Sequence, residues 1–175
     1  MIALEWRDVA LGAGPAISTS LTLAETDELR RLAKDADVLE IGSAYGYSAI
    51  AMALAGARSV IAVDPHQWLN SWPTMLANIE AYGVADRVTV WRMDSQTAMS
   101  TLGAAFDLVW IDGDHEVCAV ARDVEMGRKL LRPGGTLACH DYDEAICPGV
   151  REALDAWKVP PRLVDTLAVY GPGEW

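Results

Sequence analysis

Asp37-Val38-Leu39-Glu40-Ile41-Gly42-Ser43-Ala44-Tyr45-Gly46-Tyr47-Ser48 changes its hydrophobic period halfway, and the fold is read from that change. Val38, Leu39 and Ile41 make a short apolar run of strand type, whereas residues 48–54 make a longer, alanine-rich run of helix type. Gly42 and Gly46 occupy the join. Without β-carbons they let a ligand approach the turn backbone, and the following helix points its free N–H groups into the same space. Glu40 ends the strand, where an acid can face a ligand cation. The spacing Glu40-x-Gly42-x-x-x-Gly46 departs from the G-x-G-x-x-G of dinucleotide folds. An acid in first position suits a ligand with an ammonium group better than one with two phosphates.

Working outward, strand and helix patterns alternate on both sides. Thr22 can cap a helix running to Lys34, with Glu25 as its capping-box partner and Leu23, Leu29 and Leu32 as its apolar stripe. Residues 1–20, with Gly12, Gly14 and Pro15, show little period and read as an irregular lead or loose cover over the ligand site, ahead of a single domain at 21–175. Beyond Gly56, residues 59–64 form a second buried strand that ends in Asp64. This acid lies about 20 residues past the glycines, where a carboxylate accepts hydrogen bonds from both hydroxyls of a ribose. A helix from Pro73 to Tyr82 follows, stopped by Gly83, with Met75, Leu76 and Ile79 inward. Trp68 and Trp72 suit either loop packing or stacking on a base or substrate.

Residues 87–91 are the third strand and run into Asp94 and Ser95, which could bracket an adenine amino group. Residues 106–111 are the fourth strand and deliver Asp112-Gly-Asp-His115. A helix over 116–131 stops at Arg132-Pro-Gly-Gly135, and the fifth strand, 136–139, exits through His140-Asp141-Tyr142. A helix from Pro148 to Trp157 and two short strands within 162–170 close one edge. Glu40, Asp64, Asp94 and Asp112 therefore end four consecutive strands, and ligands of open parallel sheets bind beyond the carboxyl ends. The fold class is α/β, a Rossmann-like, doubly wound, mostly parallel seven-stranded sheet with helices on both faces.

With 175 residues, 51% hydrophobic, the chain suffices for one well-filled core and is short for two. No run approaches the ~20 apolar residues of a bilayer span, and the N-terminus lacks a basic region followed by an apolar one. A cytoplasmic protein is expected, without membrane contact. A net charge of -11 disfavours nucleic-acid partners. Cys118, Cys139 and Cys147 show no C-x-x-C pair, so they read as buried thiols.

Over about residues 22–170, the first motif, Asp112-Gly-Asp-His115, Leu130-Leu-Arg-Pro-Gly-Gly135, His140-Asp-Tyr142 and Pro148-Gly-Val-Arg151 together resemble the class I S-adenosylmethionine-dependent methyltransferases. The branch is that of small-molecule O-methyltransferases similar to cephalosporin hydroxylase-like and macrolide-sugar enzymes. The resemblance implies S-adenosylmethionine held by Glu40, Gly42, Ser43, Gly46, Tyr47, Ser48, Asp64, Pro65, His66, Asp94, Ser95 and Asp112. It also implies methyl transfer to a hydroxyl of a small metabolite. Removal of the acceptor proton falls to His115, which follows Asp112 and titrates near working pH, with His140 second. Some members bind magnesium, at positions that look like Asp112, His140 and Asp141; a histidine there weakens the case, and no metal ligand is assigned. A cofactor-binding subunit without catalysis and a nucleotide-dependent oxidoreductase are the alternatives. A homodimer using Trp6 or the N-terminal segment to cover the site is one arrangement the sequence allows.

Overall fold

The computed structural model describes residues 6–103, 105–143, 145 and 147–173. A hairpin of β1 (Arg7–Ala10) and β2 (Ala16–Thr19) leads into α1 (Leu23–Ala33). The chain continues through β3 (Asp37–Ile41), α2 (Tyr47–Leu54), β4 (Ser59–Val63), α3 (Ser71–Ala81), β5 (Val88–Trp91) and α4 (Ser95–Thr101). It ends with β6 (Phe106–Ile111), α5 (Val117–Leu130), β7 (Leu131–Cys139), α6 (Pro148–Asp155), β8 (Arg162–Val164) and β9 (Leu167–Tyr170).

Seven of these strands form one sheet in the order β5-β4-β3-β6-β7-β9-β8. The first five run parallel, and β9 is antiparallel to both of its neighbours. Strand β3 lies at the centre, with Leu39 in register with Ile61 on one side and Val109 on the other. Val38, Leu39 and Ile41 are apolar on both sides of the strand because both faces are buried, the usual state of a parallel sheet. Leu29, Ile50 and Met75 pack one face from α1, α2 and α3; Val120, Val124 and Leu154 pack the other from α5 and α6. The strand order turns back between β3 and β6, and a crevice opens at the carboxyl ends of those two strands. At the opposite end, Asp37 and Asp107 share Arg132, whose Nη1 lies 2.9 and 2.8 Å from their Oδ2 atoms, and Arg58 joins them. This cluster fixes the starts of β3, β6 and β7 together.

Several expectations need correction. Residues 7–19 are a paired hairpin rather than an irregular lead, and the phenol of Tyr82 clips it down. That hydroxyl accepts from Leu11 N at 2.8 Å and donates to Pro15 O at 2.6 Å, while Gly14 lies so close that a β-carbon would come within 2.4 Å of the ring. The hairpin was illegible because its strands are four residues each, too short to show alternation. In α1, Leu23 is 68% exposed and Glu25 is turned inward instead, 1% exposed. Leu76 faces water on α3, which starts at Ser71, two residues before Pro73. Helix α4 was not anticipated, since Ser95–Thr101 carries little apolar period and is defined by its cap, Asp94, which accepts from Thr97 N at 2.8 Å. Strand β7 absorbs the Arg-Pro-Gly-Gly turn as an irregularity in its pairing with β6.

Candidate active site

A cavity of about 590 Å³ opens beyond the carboxyl ends of β3, β4, β5 and β6, within the range of small-ligand sites. Its floor is the turn Gly42-Ser43-Ala44, with Tyr47 and Ser48 behind it and Asp64, Pro65, Asp94, Ser95 and Asp112 around it. Asp64 braces the floor: Oδ2 accepts from Ser43 N at 2.9 Å and Ala44 N at 2.8 Å, and Oδ1 accepts from His66 N at 2.5 Å. The two bonds from Ser43 and Ala44 fill Oδ2, and Oδ1 keeps one lone pair for a ligand hydroxyl.

Three residues expected to touch a ligand stand outside this wall. Glu40 is fully buried one layer beneath the floor, where Oε1 accepts from Ser48 Oγ and Oε2 finds no partner among the described residues. Burial pushes its carboxyl up to about 8, and the nearby Asp112 and Asp64 add to the rise. At neutral pH, below that value, the carboxyl is mostly protonated, so Glu40 is a buried polar support under the floor rather than an exposed contact. His66 turns away to hydrogen-bond Ser71 Oγ at 3.1 Å and packs edge-on against Trp72, and burial lowers its pKa. Gly46 caps α2 in the left-handed region, φ 88°, and a β-carbon there would press on Met75 Cγ at 2.9 Å. Gly42 has a packing reason too. Its φ is 85°, and an added β-carbon would lie 2.2 Å from the Asp112 carbonyl oxygen.

The acids at the rim divide by environment. Asp94 caps α4, and its bonds with Thr97 hold its carboxyl low; Ser95 Oγ donates to Asp123 Oδ1 at 2.8 Å. Around His115 the groups interlock. Its Nε2 lies 2.9 Å from Asp141 Oδ2, an ion pair short of full hydrogen-bond alignment. That contact raises the His115 pKa above its usual value against the opposing effect of burial. Behind it, His140 Nδ1 lies 3.2 Å from Asp112 Oδ1 and 3.3 Å from Asp141 Oδ1, and its Nε2 lies 3.3 Å from Glu25 Oε2. Burial opposes charge on His140, but the three carboxylates prevail and raise its pKa well above the usual value. For Glu25, burial works upward and is outweighed by His140 and by hydrogen bonds from Thr22 and Thr166, which leave it at about 2. Burial keeps Asp112 above the usual carboxylate range, while Asp141 is driven below it by the two histidines despite its burial.

The profile of the family described as "Methyltransferase domain" matches residues 39–142, more than half of the chain. The protein belongs to this methyltransferase family. Among solved structures, the chain is similar to cofactor-bound Rv0187 from MTB, with 26% identity and a TM-score of 0.68 over 79% of this chain and 69% of that one. It is similar to the O-methyltransferase from Bacillus cereus in complex with SAH, with 22% identity and a TM-score of 0.67 over 81% and 72%. It also resembles the O-methyltransferase TomG from Streptomyces achromogenes in complex with SAM, with 23% identity and a TM-score of 0.65 over 79% and 69%. These last two likenesses speak for the fold. No curated protein matches the sequence. Among the described residues, no helix is long and apolar enough to cross a membrane.

In this methyltransferase, His115 and Asp141 line the cavity, while His140 lies behind them and does not. One ligand atom each from Asp112, His140 and Asp141 lie within 4.8 Å of one another, close enough to ring a cation. The donor set does not fit magnesium, which takes oxygen ligands and retains several waters. Here the middle donor is a nitrogen already satisfied by both carboxylates, on a ring 2% exposed. Sequence reasoning missed Glu25, treated only as a helix cap, and Asp123, inside a helix. The N-terminal segment, expected as an irregular lead or a loose cover over the site, contributes Trp6, Ser18, Thr19 and Ser20 to the wall beside Leu21. Trp68 joins that wall and meets Trp6 edge-on at 5.1 Å, whereas Trp72 is a packing residue against His66.

Proposed function

We propose that this chain transfers the methyl group of S-adenosylmethionine to a hydroxyl of a small metabolite, with His115 as general base. The observation that carries the reading is that Asp64, Asp112 and His115, delivered by the exits of two strands, face one cavity of about 590 Å³. Asp64 takes a ribose hydroxyl through Oδ1, the Gly42–Ala44 turn and Asp112 surround the methionine end, and Asp94 and Ser95 flank the adenine. In the transfer, the C–S bond breaks with its electron pair going to sulfur, which leaves as a neutral thioether. The acceptor oxygen forms the new C–O bond, and its proton passes to His115. With Nε2 against Asp141, the proton goes to Nδ1. Catalysis then consists chiefly of holding acceptor and methyl group in line and of removing one proton.

Calorimetric titration tests the cofactor half. S-adenosylmethionine and S-adenosylhomocysteine should bind one to one and NAD should not. Asp64→Ala should weaken S-adenosylhomocysteine binding by about 10- to 100-fold, the loss of one charge-assisted hydrogen bond. Unchanged affinity in that variant would remove Asp64 from the ribose. The catalytic half is tested with labelled cofactor and a pool of hydroxylated metabolites: transfer by the lone protein supports an enzyme, and no transfer to any of them favours a binding subunit.

A further inference from the structure

His140 is more enclosed than a base should be, and each face of its ring edge ends on an acid. Nδ1 faces Asp112 and Asp141, at 3.2 and 3.3 Å, and Nε2 faces Glu25 at 3.3 Å. Ionised carboxylates only accept hydrogen bonds, so a ring between them is satisfied only when both nitrogens carry a proton, and such a ring is a cation. The neighbours are built for it. Glu25 is 1% exposed and fixed through Oε1 by Thr166 N at 2.9 Å and Thr166 Oγ1 at 2.8 Å, and through Oε2 by Thr22 N at 2.8 Å. The indole of Trp110, fully buried, lies 5.8 Å from the imidazole and closes the apolar side. A carboxylate placed so deep in a helix cap needs a positive partner, and His140 is the one it touches.

We propose that His140, gripped by Glu25, is the fixed cation that joins Asp112 to Asp141, and that this methyltransferase works without the divalent metal that the family resemblance implies at these three positions. The inference rests on the methyltransferase reading. In it, the imidazole of His140 holds the two carboxylates together, and Asp141 in turn positions His115 at the cavity. His140 and Glu25 are positioning residues and touch neither cofactor nor acceptor.

The test uses the full chain after EDTA treatment and dialysis. Its melting temperature should shift by less than about 1 °C on addition of magnesium, manganese or zinc. By contrast His140→Asp, which completes an oxygen donor set, should gain about 5 °C or more with saturating magnesium. A rise in the wild-type melting temperature with any of the three metals, absent from His140→Asn, overturns the proposal. Should His140→Asp fail to fold, nitrogen-15 spectra of the wild type still decide. The chain has three histidines, so His140 is assigned by difference, and both of its ring nitrogens should carry protons at neutral pH. A bare nitrogen on His140 overturns the proposal. Glu25→Gln should lower the pH at which His140 gives up its second ring proton, a change that loss of packing alone would not produce. S-adenosylhomocysteine titration with and without magnesium separates the two readings: no binding in either condition sinks the cofactor assignment, whereas binding only with magnesium overturns the metal-free proposal.

Discussion

Replacement of His115 by alanine is expected to lower kcat by about 10²- to 10⁴-fold, the usual contribution of a positioned base, while S-adenosylhomocysteine affinity changes less than about twofold. The split follows from position: His115 stands on the cavity wall beside Asp141, apart from Asp64 and the turn it braces, which are the proposed cofactor contacts. The pH dependence has a definite sign. Asp141 raises the His115 pKa, so at a given pH less of the ring is in its proton-accepting form, and the rising limb of kcat against pH moves to the alkaline side of the ordinary ~6.5. Asp141→Asn removes the partner and should shift that limb toward lower pH while it lowers kcat through lost orientation. Stability runs the other way. The His115–Asp141 contact contributes fully below the unfolded histidine pKa and is lost as pH rises through the raised folded value. An alanine variant with kcat within threefold of wild type would transfer the base role elsewhere.

Gly42→Ala should unfold the protein at a temperature about 10 °C lower, and it should do so before any ligand is added. Two readings of this glycine compete. If its small size serves only ligand approach, alanine leaves the melting temperature intact and abolishes cofactor binding. The structure favours packing. An alanine β-carbon would lie 2.2 Å from the Asp112 carbonyl oxygen and 2.6 Å from Gly113 Cα, both backbone atoms that cannot swing aside, at a φ of 85°. Strain of that backbone region costs about 1–3 kcal/mol and overpacking about as much again. At ~2–4 °C per kcal/mol for a chain of this size, the sum is about 10 °C. Gly12→Ala is the control, since its φ of 94° carries the same backbone strain with nothing within 4 Å of the added carbon. Equal melting temperatures in the two variants would restore the ligand-clearance reading.

Much of this architecture could be read locally. The switch from the β3 run to the α2 run, the Thr22-x-x-Glu25 cap and the break near Asp165 each depend on a few neighbouring residues, and each is where it was expected. Asp64, Asp94 and Asp112 reach one cavity because parallel strands deliver their exits to the same edge, a rule that needs only the strand assignments. Glu40 ends its strand as expected, yet it lies under the floor, because burial depends on what α2 lays over it through Ser48.

The sequence by itself determined the seven-stranded α/β layering, the edge at which chemistry gathers and the family, because hydrophobic period, caps and glycine turns are short-range signals. Only the tertiary structure decided that Glu25, 115 residues before His140, belongs to the same buried cluster. It alone also decided that His140 lies behind the cavity while His115 faces it, and that Gly42 packs against the backbone of Asp112 and Gly113. Desolvation and charge pairing depend on which elements meet, and no local spacing encodes that meeting.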